Sequence, residues 1–219
     1  MPGDAPIVLY GEPFWVSPYV FSCFVALREK RLRFETKIVS LARGEHREAG
    51  YRDRALTAKV PALVHGEFWL AESSAIVEYL EEVFPAPDHP RVLPADPHDR
   101  ARARQIMAWI RSDLLPLREE RPTNSMFYPR PLLPLSPAAQ AAADKLLRAA
   151  DLLIANGATS LFGAWCVADG DLAFVLQRLI RNGHGIPAKL RIFAAAQWER
   201  PSVRAFVEHD RPRAFEPYD

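Results

Sequence analysis

Ser17 lies between an apolar lead-in and a run of large hydrophobic residues, in the stretch FWVSPYVFSCFVAL. A serine followed by a proline is a typical helix start, because the serine oxygen accepts an unpaired backbone N–H and the proline sits where no N–H is needed. At a helix N-terminus the same hydroxyl could also donate a hydrogen bond to an anion. Capping is the commoner use of such a serine, so this stretch alone leaves a chemical role open.

Two further short patterns could bind a peptide-like ligand. Val60 precedes Pro61 and is therefore restricted to an extended conformation, in which its N–H and C=O can pair with another extended chain. Glu72 and Ser73 begin a helical pattern, where unpaired N–H groups and a hydroxyl can hold a carboxylate and the glutamate can bind an ammonium group. A strand-start proline and a capping serine would explain the same residues without a ligand.

The other reactive residue types form no catalytic pattern. Cys23 and Cys166 are too few for a disulfide framework and lack the paired spacing of a zinc site. The six histidines form no HxxxH or HExxH pattern, and the ten glycines form no GxGxxG or GxxxxGK loop. We therefore expect neither a metal nor a nucleotide cofactor.

Charge and hydropathy argue against nucleic acid and membranes as partners. The chain has 28 Lys and Arg against 27 Asp and Glu, and this net charge of +1 offers no general field for nucleic acid or anionic lipid. No apolar run approaches the roughly 18 residues that span a bilayer, and MPGDAPIVLY lacks a basic segment followed by a long apolar one. We expect a cytoplasmic protein with neither nucleic acid nor membrane as a partner.

The candidate residues must be positioned by a small mixed domain. Short apolar or alternating runs predict strands, and apolar residues at helical spacing predict helices. The predicted elements are strand 7–10, a helix from 18 to 30, strand 34–39, strands 62–64 and 67–70, and helix 72–84. The order is a βαβ unit followed by a ββα unit, which indicates an α/β domain.

A proline-rich segment separates this domain from a helical one. Residues 85–97 contain five prolines and cannot continue regular structure for long, so we predict a linker there. Beyond it the spacing is helical, with a second proline-rich loop over 122–137. We predict an α/β domain over 1–84 and an all-α domain over 98–219.

Four motifs, in order along the chain, resemble the glutathione S-transferase family, and in particular its serine-type bacterial members. They are LYGEPFWVSPYV, KVPAL, AESSAI and FGAWCVADGDLA, and the resemblance covers nearly the whole chain. It implies a thioredoxin-like N-terminal domain followed by an all-helical domain. It also implies that the co-substrate is glutathione, a tripeptide with a thiol, and that the protein is a homodimer.

The resemblance gives the candidate residues specific roles. We predict that Ser17 is the catalytic residue and donates a hydrogen bond to the glutathione sulfur, while the helix N-terminus stabilises the thiolate. The resemblance implies a cis peptide bond at Val60–Pro61. The predicted glutathione-binding residues are Val60, Pro61, Glu72, Ser73, His46 and Lys59, of which the last two could meet the glycyl carboxylate.

Tyr10, Tyr19 and Cys23 are alternatives to Ser17. A tyrosine phenol could donate the same hydrogen bond, although the end of an apolar strand and a first helical turn are also usual places for packing tyrosines. Cys23 could exchange disulfides, but its place within a helix favours a small buried apolar residue.

In the helical domain, aromatic residues mix with arginines in a way that could accept a flat, polar electrophile. We predict electrophile contacts at Arg111, Leu115 and Arg118. A stripe of this kind is more often protein core or subunit interface, and that alternative stays open.

The function predicted from these residues is glutathione transfer to an electrophile, with reduction of organic hydroperoxides as a second use of the same thiolate. The alternative is a non-catalytic module that binds glutathione or a protein on the same fold, because a fold does not determine a function.

Overall fold

The computed structural model describes residues 5–128, 130–131 and 133–218, which form two compact units. The first unit contains the described residues up to Val92 together with those from Arg204 onward, and the second runs from Leu93 to Val203. Residues 1–4 and 219, at the ends of the predicted domains, and positions 129 and 132 of the predicted proline-rich loop lie outside the described residues.

The first unit contains a four-stranded sheet. Its strands are β1 (Ile7–Gly11), β2 (Glu35–Ile38), β3 (Ala62–His65) and β4 (Phe68–Ala71), in the order β2-β1-β3-β4. β1 is parallel to β2 and antiparallel to β3, and β3 is antiparallel to β4. The predicted strands and the predicted hairpin are confirmed.

Three helices accompany the sheet: α1 (Pro18–Glu29), the short α2 (Ala49–Arg52) and α3 (Ser73–Val83). α1 and α3 pack on each other and on β1 and β3, and Leu9 and Leu63 of the sheet are completely buried. Lys30, just after α1, forms a buried ion pair with Glu81 of α3, with Nζ and Oε2 2.9 Å apart. The packing of the two helices and this buried ion pair together fix the position of α1 relative to α3.

The second unit is built of helices. They are α4 (Pro97–Ser112), α5 (Leu115–Glu120), α6 (Pro137–Leu153), α7 (Val167–Ile180) and α8 (Ala188–Trp198); the last helix, α9 (Pro201–Val207), follows. An α/β unit followed by helices confirms the predicted fold class. Among the described residues, no helix combines the length and apolar character needed to cross a membrane.

α7 is the central helix of the second unit, because every residue from Val167 to Leu179 is buried. A buried aspartate, Asp169, holds the start of this helix. Its Oδ2 accepts the Cys166 N–H at 2.7 Å, and its Oδ1 accepts the Leu161 N–H at 2.6 Å. The carboxylate therefore satisfies N–H groups that the thiol of Cys166, a weak acceptor, could not reach.

Candidate functional site

The strand register brings three segments to one end of the sheet. Tyr10 near the end of β1 pairs with Ala62, the first residue of β3, and Ala62 pairs with Ala71, the last residue of β4. Because β3 runs opposite to both neighbours, the end of β1, the start of β3 and the end of β4 lie side by side. We call this the upper end of the sheet.

Ser17 and four of the predicted glutathione-binding residues flank this upper end. Ser17 follows β1 after a five-residue loop, Val60 and Pro61 immediately precede β3, and Glu72 and Ser73 immediately follow β4. β2 also ends here, because Val39, the next residue, donates its N–H to the carbonyl of Gly11 at 2.8 Å. The sheet thus positions these predicted groups at one end.

Ser17 is the N-cap of α1. Its Oγ accepts the Val20 N–H at 3.3 Å, and its side chain lies at the edge of burial, with 9 % of the residue exposed. A hydroxyl that accepts through its oxygen still has a proton to donate. Within the described part of the chain, the structure gives this proton no acceptor, so Ser17 can cap the helix and donate to a ligand.

Glu12 holds the loop that leads to Ser17, and sequence reasoning missed it. Its Oε1 accepts the N–H groups of Val16 at 2.7 Å and of Ser17 at 3.0 Å, and its Oε2 accepts that of Phe14 at 2.7 Å. Only 1 % of Glu12 is exposed. The available signal was a carboxylate inside the apolar stretch LYGEPFWV, since a buried charge must be paired or hydrogen-bonded.

The Val60–Pro61 peptide bond is cis, as the resemblance implied. Val60 is 8 % exposed, and the backbone before it is anchored by Tyr51 of α2, whose hydroxyl donates to the carbonyl of Lys59 at 2.7 Å. The side chain of Lys59 is exposed. A backbone segment held in this way beside the first residue of β3 is one that the backbone of a peptide could pair with.

Glu72 and Ser73 form the start of α3. Glu72 is exposed and has a φ of 67°, a value that costs a non-glycine residue about 1–3 kcal/mol and that clusters at functional sites. Ser73 is buried, and its carbonyl accepts a weak hydrogen bond from Sγ of Cys23 at 3.8 Å. This contact ties α1 to the start of α3.

The alternatives to Ser17 lie in packed surroundings. The ring of Tyr10 stacks on Trp69 and meets Tyr51 edge-on, with centroids 5.1 and 5.4 Å apart. Cys23 is completely buried, which confirms its prediction as a buried apolar residue. Tyr19 is half-buried in the first turn of α1.

His46 lies in a short 3-10 turn, Glu45–Arg47, on the segment that follows β2. Its Nδ1 is shielded from solvent and has no hydrogen-bond partner among the described residues. Burial, and secondly the positive charge of Arg47, lower the pKa of His46. A buried ring nitrogen without a partner is a position where a ligand atom would be favourable.

The predicted electrophile contacts lie in the second unit and are tied into its packing. Arg111 pairs with Asp171 of α7, with Nη2 and Oδ2 2.8 Å apart, and Arg118 donates to the carbonyl of Arg111 at 2.6 Å. Leu115 is 55 % exposed. These arginine contacts fit the structural alternative, and an electrophile site here stays a prediction.

Two family models match the chain. The model of the glutathione S-transferase C-terminal domain matches residues 96–210, and that of the N-terminal domain matches residues 16–83. The second match includes Ser17 and the residues from His46 to Ser73 that we predict to bind glutathione.

Several known proteins are similar. A glutathione transferase homolog from Burkholderia gl BGR1, solved with bound glutathione, is 45 % identical with a TM-score of 0.78, over 93 % of this chain and 97 % of that one. A probable maleylacetoacetate isomerase of Vibrio cholerae is 32 % identical over 52 % of each chain, and a maleylpyruvate isomerase of Ralstonia sp is 34 % identical over 49 % of this chain and 50 % of its own.

The matches to these two curated isomerases span about half of their length. The two family models nevertheless follow each other along the chain, and the C-terminal model alone covers more than half of it. Three of the four sequence motifs, LYGEPFWVSPYV, KVPAL and AESSAI, lie at the upper end of the sheet, and the fourth, FGAWCVADGDLA, lies at the start of α7. The chain therefore belongs to the glutathione S-transferase family.

Proposed function

We propose that this protein is a glutathione transferase, in which Ser17 donates a hydrogen bond to the glutathione sulfur and the thiolate attacks an electrophile. The single observation that carries the proposal is the Ser17 hydroxyl, which caps α1 through its oxygen and keeps its proton for a ligand. The homologous structure with bound glutathione supports the choice of ligand.

The chemistry needs a stabilised anion rather than a proton relay. A free thiol has a pKa of about 8.5, so only a minor fraction is ionised near neutrality. A hydroxyl donor and the partial positive charge at the N-terminus of α1 both favour the anion, and each pKa unit corresponds to about 1.4 kcal/mol. The thiol proton passes to solvent, and the thiolate forms a carbon–sulfur bond to the electrophile. The bond to the leaving group breaks, and that group departs with the electron pair, as chloride does from chlorodinitrobenzene.

The remainder of the tripeptide would bind along the upper end of the sheet. The backbone of Val60, before Pro61, would pair with the cysteinyl residue, while the start of α3 at Ser73 would hold the γ-glutamyl carboxylate and Glu72 its ammonium group. His46 or Lys59 would meet the glycyl carboxylate.

Replacing Ser17 tests the proposal. We expect Ser17→Ala to return the pKa of the bound thiol toward about 8.5 and to lower kcat/KM for glutathione by about 10- to 100-fold. The bound-thiol pKa is read from thiolate absorbance against pH, and turnover from conjugation of chlorodinitrobenzene.

The chain offers a matched control. Ser136 also precedes a proline and caps a helix, since its Oγ accepts the Ala139 N–H at 3.2 Å. Ser136→Ala should cost about 1 kcal/mol of stability and leave the bound-thiol pKa unchanged. Unchanged thiol ionisation and turnover in Ser17→Ala would refute the role of Ser17.

The family also contains isomerases, and two similar proteins carry the names maleylacetoacetate isomerase and maleylpyruvate isomerase. Isomerisation is therefore the second candidate activity, beside hydroperoxide reduction. A screen of the purified protein with an aryl halide, an organic hydroperoxide and maleylpyruvate separates the three. Retention on immobilised glutathione with no turnover in any assay would favour a non-catalytic binding protein instead.

We further propose a cytoplasmic homodimer in which Arg111, Leu115 and Arg118 contact the electrophile. Family membership supports the dimer. Sedimentation at several concentrations tests the oligomeric state. If Arg111 and Arg118 contact the electrophile, replacing either arginine should change the KM for the electrophile and leave the KM for glutathione constant.

A further inference from the structure

We infer that Glu12 is a positioning residue for thiol activation: its buried carboxylate holds the backbone of the preceding loop so that the Ser17 hydroxyl is aimed at the glutathione sulfur. This inference rests on the proposed function. It concerns a residue that acts through Ser17 and makes no contact of its own with the reacting atoms.

The loop from Glu12 to Ser17 is organised around a single side chain. The carboxylate accepts three N–H groups, those of Phe14, Val16 and Ser17. The fourth N–H, that of Trp15, lies 3.4 Å from the backbone carbonyl of Glu12. Every N–H group between Phe14 and Ser17 is therefore directed at Glu12, and removing the carboxylate would release three of them at once.

Ser17 is held from two sides by these contacts. Its N–H donates to Oε1 of Glu12, and its Oγ accepts from Val20 in the first turn of α1. With the backbone and the oxygen both fixed, the remaining freedom is rotation of the O–H bond. The proton then points outward from α1 whenever an acceptor is present, and little reorganisation is needed on binding.

The loop needs such an anchor because its conformation is unfavourable. Trp15 has a φ of 50°, in the left-handed region that non-glycine residues rarely adopt. Its carbonyl accepts a hydrogen bond from Arg211 at 3.0 Å. Glu12 holds the N–H groups on either side of Trp15, so the strained residue is fixed by contacts on both sides.

A carboxylate fits this role better than an amide. It is acceptor-only through two oxygens, whereas a glutamine offers one acceptor and an NH₂ group that would face an N–H donor. Residues of the C-terminal segment, in the same unit, cover this loop. The ring of Phe215 packs on Phe14. Tyr218 is close enough to Glu12 that burial, together with the negative charge of Glu12, raises the pKa of its phenol. Exclusion of water strengthens the hydrogen bonds.

The test compares Glu12→Gln with the wild-type protein by two readouts. The first is the pKa of the thiol in bound glutathione, from thiolate absorbance against pH. The second is affinity for S-methylglutathione, a thioether that has no thiol to ionise. We expect the thiol pKa to rise by about one unit, with a tenfold loss of thiolate at pH below the pKa, and the thioether affinity to stay within about twofold.

A double-mutant cycle with Ser17→Ala asks whether Glu12 acts through Ser17. We expect the two changes in thiol pKa to be strongly non-additive. Once Ser17→Ala has removed the hydroxyl, Glu12 has no donor left to position, so Glu12→Gln should then change the thiol pKa little. Additive effects would overturn the inference. A fall in thiol pKa in Glu12→Gln would also overturn it, because the carboxylate would then act by repelling the thiolate.

Asp169→Asn is the matched control, since Asp169 is also a buried carboxylate that accepts loop N–H groups but lies in the second unit. Asp169→Asn should lower the thermal midpoint of unfolding and leave the thiol pKa unchanged.

If Glu12→Gln does not fold, Glu12→Asp keeps the charge on a shorter side chain, and we expect it to raise the thiol pKa by a smaller amount. A wild-type thiol pKa near that of free glutathione would contradict the proposed function itself, whereas a lowered wild-type value with no change in the Glu12 variants would contradict only this inference.

Discussion

Glu72 combines a strained backbone with an exposed carboxylate at the start of α3. A strained residue persists only where the surroundings impose its conformation, and strain of this kind recurs at ligand sites. Stability and ligand binding should therefore respond differently when this residue is replaced.

We expect Glu72→Gly to leave stability unchanged or to raise it by up to about 1 kcal/mol, because glycine tolerates positive φ. The same change should weaken glutathione binding by about tenfold or more, because the ammonium group loses its carboxylate partner. Urea unfolding and titration calorimetry measure the two effects. A destabilised protein with normal affinity would mean that Glu72 has only a structural role.

Short motifs of the right residue types pointed to Ser17, Val60–Pro61 and Glu72–Ser73, because each acts through its immediate neighbours in the chain. Glu12 escaped notice because its role depends on a loop geometry that brings three N–H groups around one carboxylate. The roles of all these side chains toward glutathione stay predictions, as do those of His46 and Lys59.

At the scale of elements, the corner between α4 and α5 depends on one aspartate. Asp113 follows α4, and its carboxylate binds Lys145, the Leu114 N–H at 2.7 Å and the indole N–H of Trp109 at 2.9 Å. Hydrogen bonds from these three groups, in that order of strength, lower the pKa of Asp113 to about 2. The carboxylate supports a turn in which Leu114 has a φ of 62°.

This shift predicts a pH-dependent contribution to stability. A carboxylate with a lowered pKa stabilises the fold above its unfolded pKa of about 3.9, and the contribution disappears as the pH falls through about 2. Because about a third of the side chain is exposed, we expect only about 1 kcal/mol. The difference between wild-type protein and Asp113→Asn should therefore shrink between pH 4 and pH 2 in urea unfolding.

Asp151→Asn, which breaks the Asp151–Lys189 pair at an aspartate more exposed than Asp113, provides a control that should cost less than about 0.5 kcal/mol at neutral pH. An Asp113→Asn penalty that stayed constant down to pH 2 would contradict the proposed origin of the stabilisation.

Periodicity predicted α3 well, where one face is buried, and it also predicted α1, in which every residue from Val20 to Leu27 is buried. It could not predict that β2 is an edge strand whose four residues are all exposed, because that depends on which strand pairs with which. It predicted helical spacing beyond residue 97 without locating the end of α4 at Ser112, since the turn there depends on the partners of Asp113.

At the scale of the whole molecule, the residues from Arg204 onward belong to the first unit. His209 stacks on Trp15 with ring centroids 3.8 Å apart, and Phe215 packs on Phe14. Arg211 donates to the carbonyl of Trp15, 196 residues away along the chain. The loop before Ser17 is thus completed by the C-terminal segment.

Replacing Arg211 tests how much the packing of the C-terminal segment on this loop contributes to stability. We expect Arg211→Ala to lower the free energy of unfolding by about 1.5–3 kcal/mol, because its guanidinium also donates to the carbonyls of Phe206 and Val207. Arg211→Lys should not restore the loss, since an ammonium group cannot reproduce the forked geometry. The exposed Arg213 provides the control, and Arg213→Ala should change stability by less than about 0.5 kcal/mol.

Neither composition nor local spacing signals that the last residues fold with the first, because such a pairing is decided by contacts distant in sequence. The predicted domain bounds of 1–84 and 98–219 follow chain order and stay a prediction. What sequence patterns did establish, at this scale, is a mixed sheet unit followed by helices.

The hydrogen bond between Arg211 and Trp15 also sets an order of events during synthesis. At about 5–20 residues per second, a ribosome needs roughly 10–40 s to travel from one of these residues to the other. During that interval the nascent loop has its acidic anchor but lacks its guanidinium. The thiol activation proposed for Ser17 would therefore become available only after Arg211 has been synthesised and has docked on this loop.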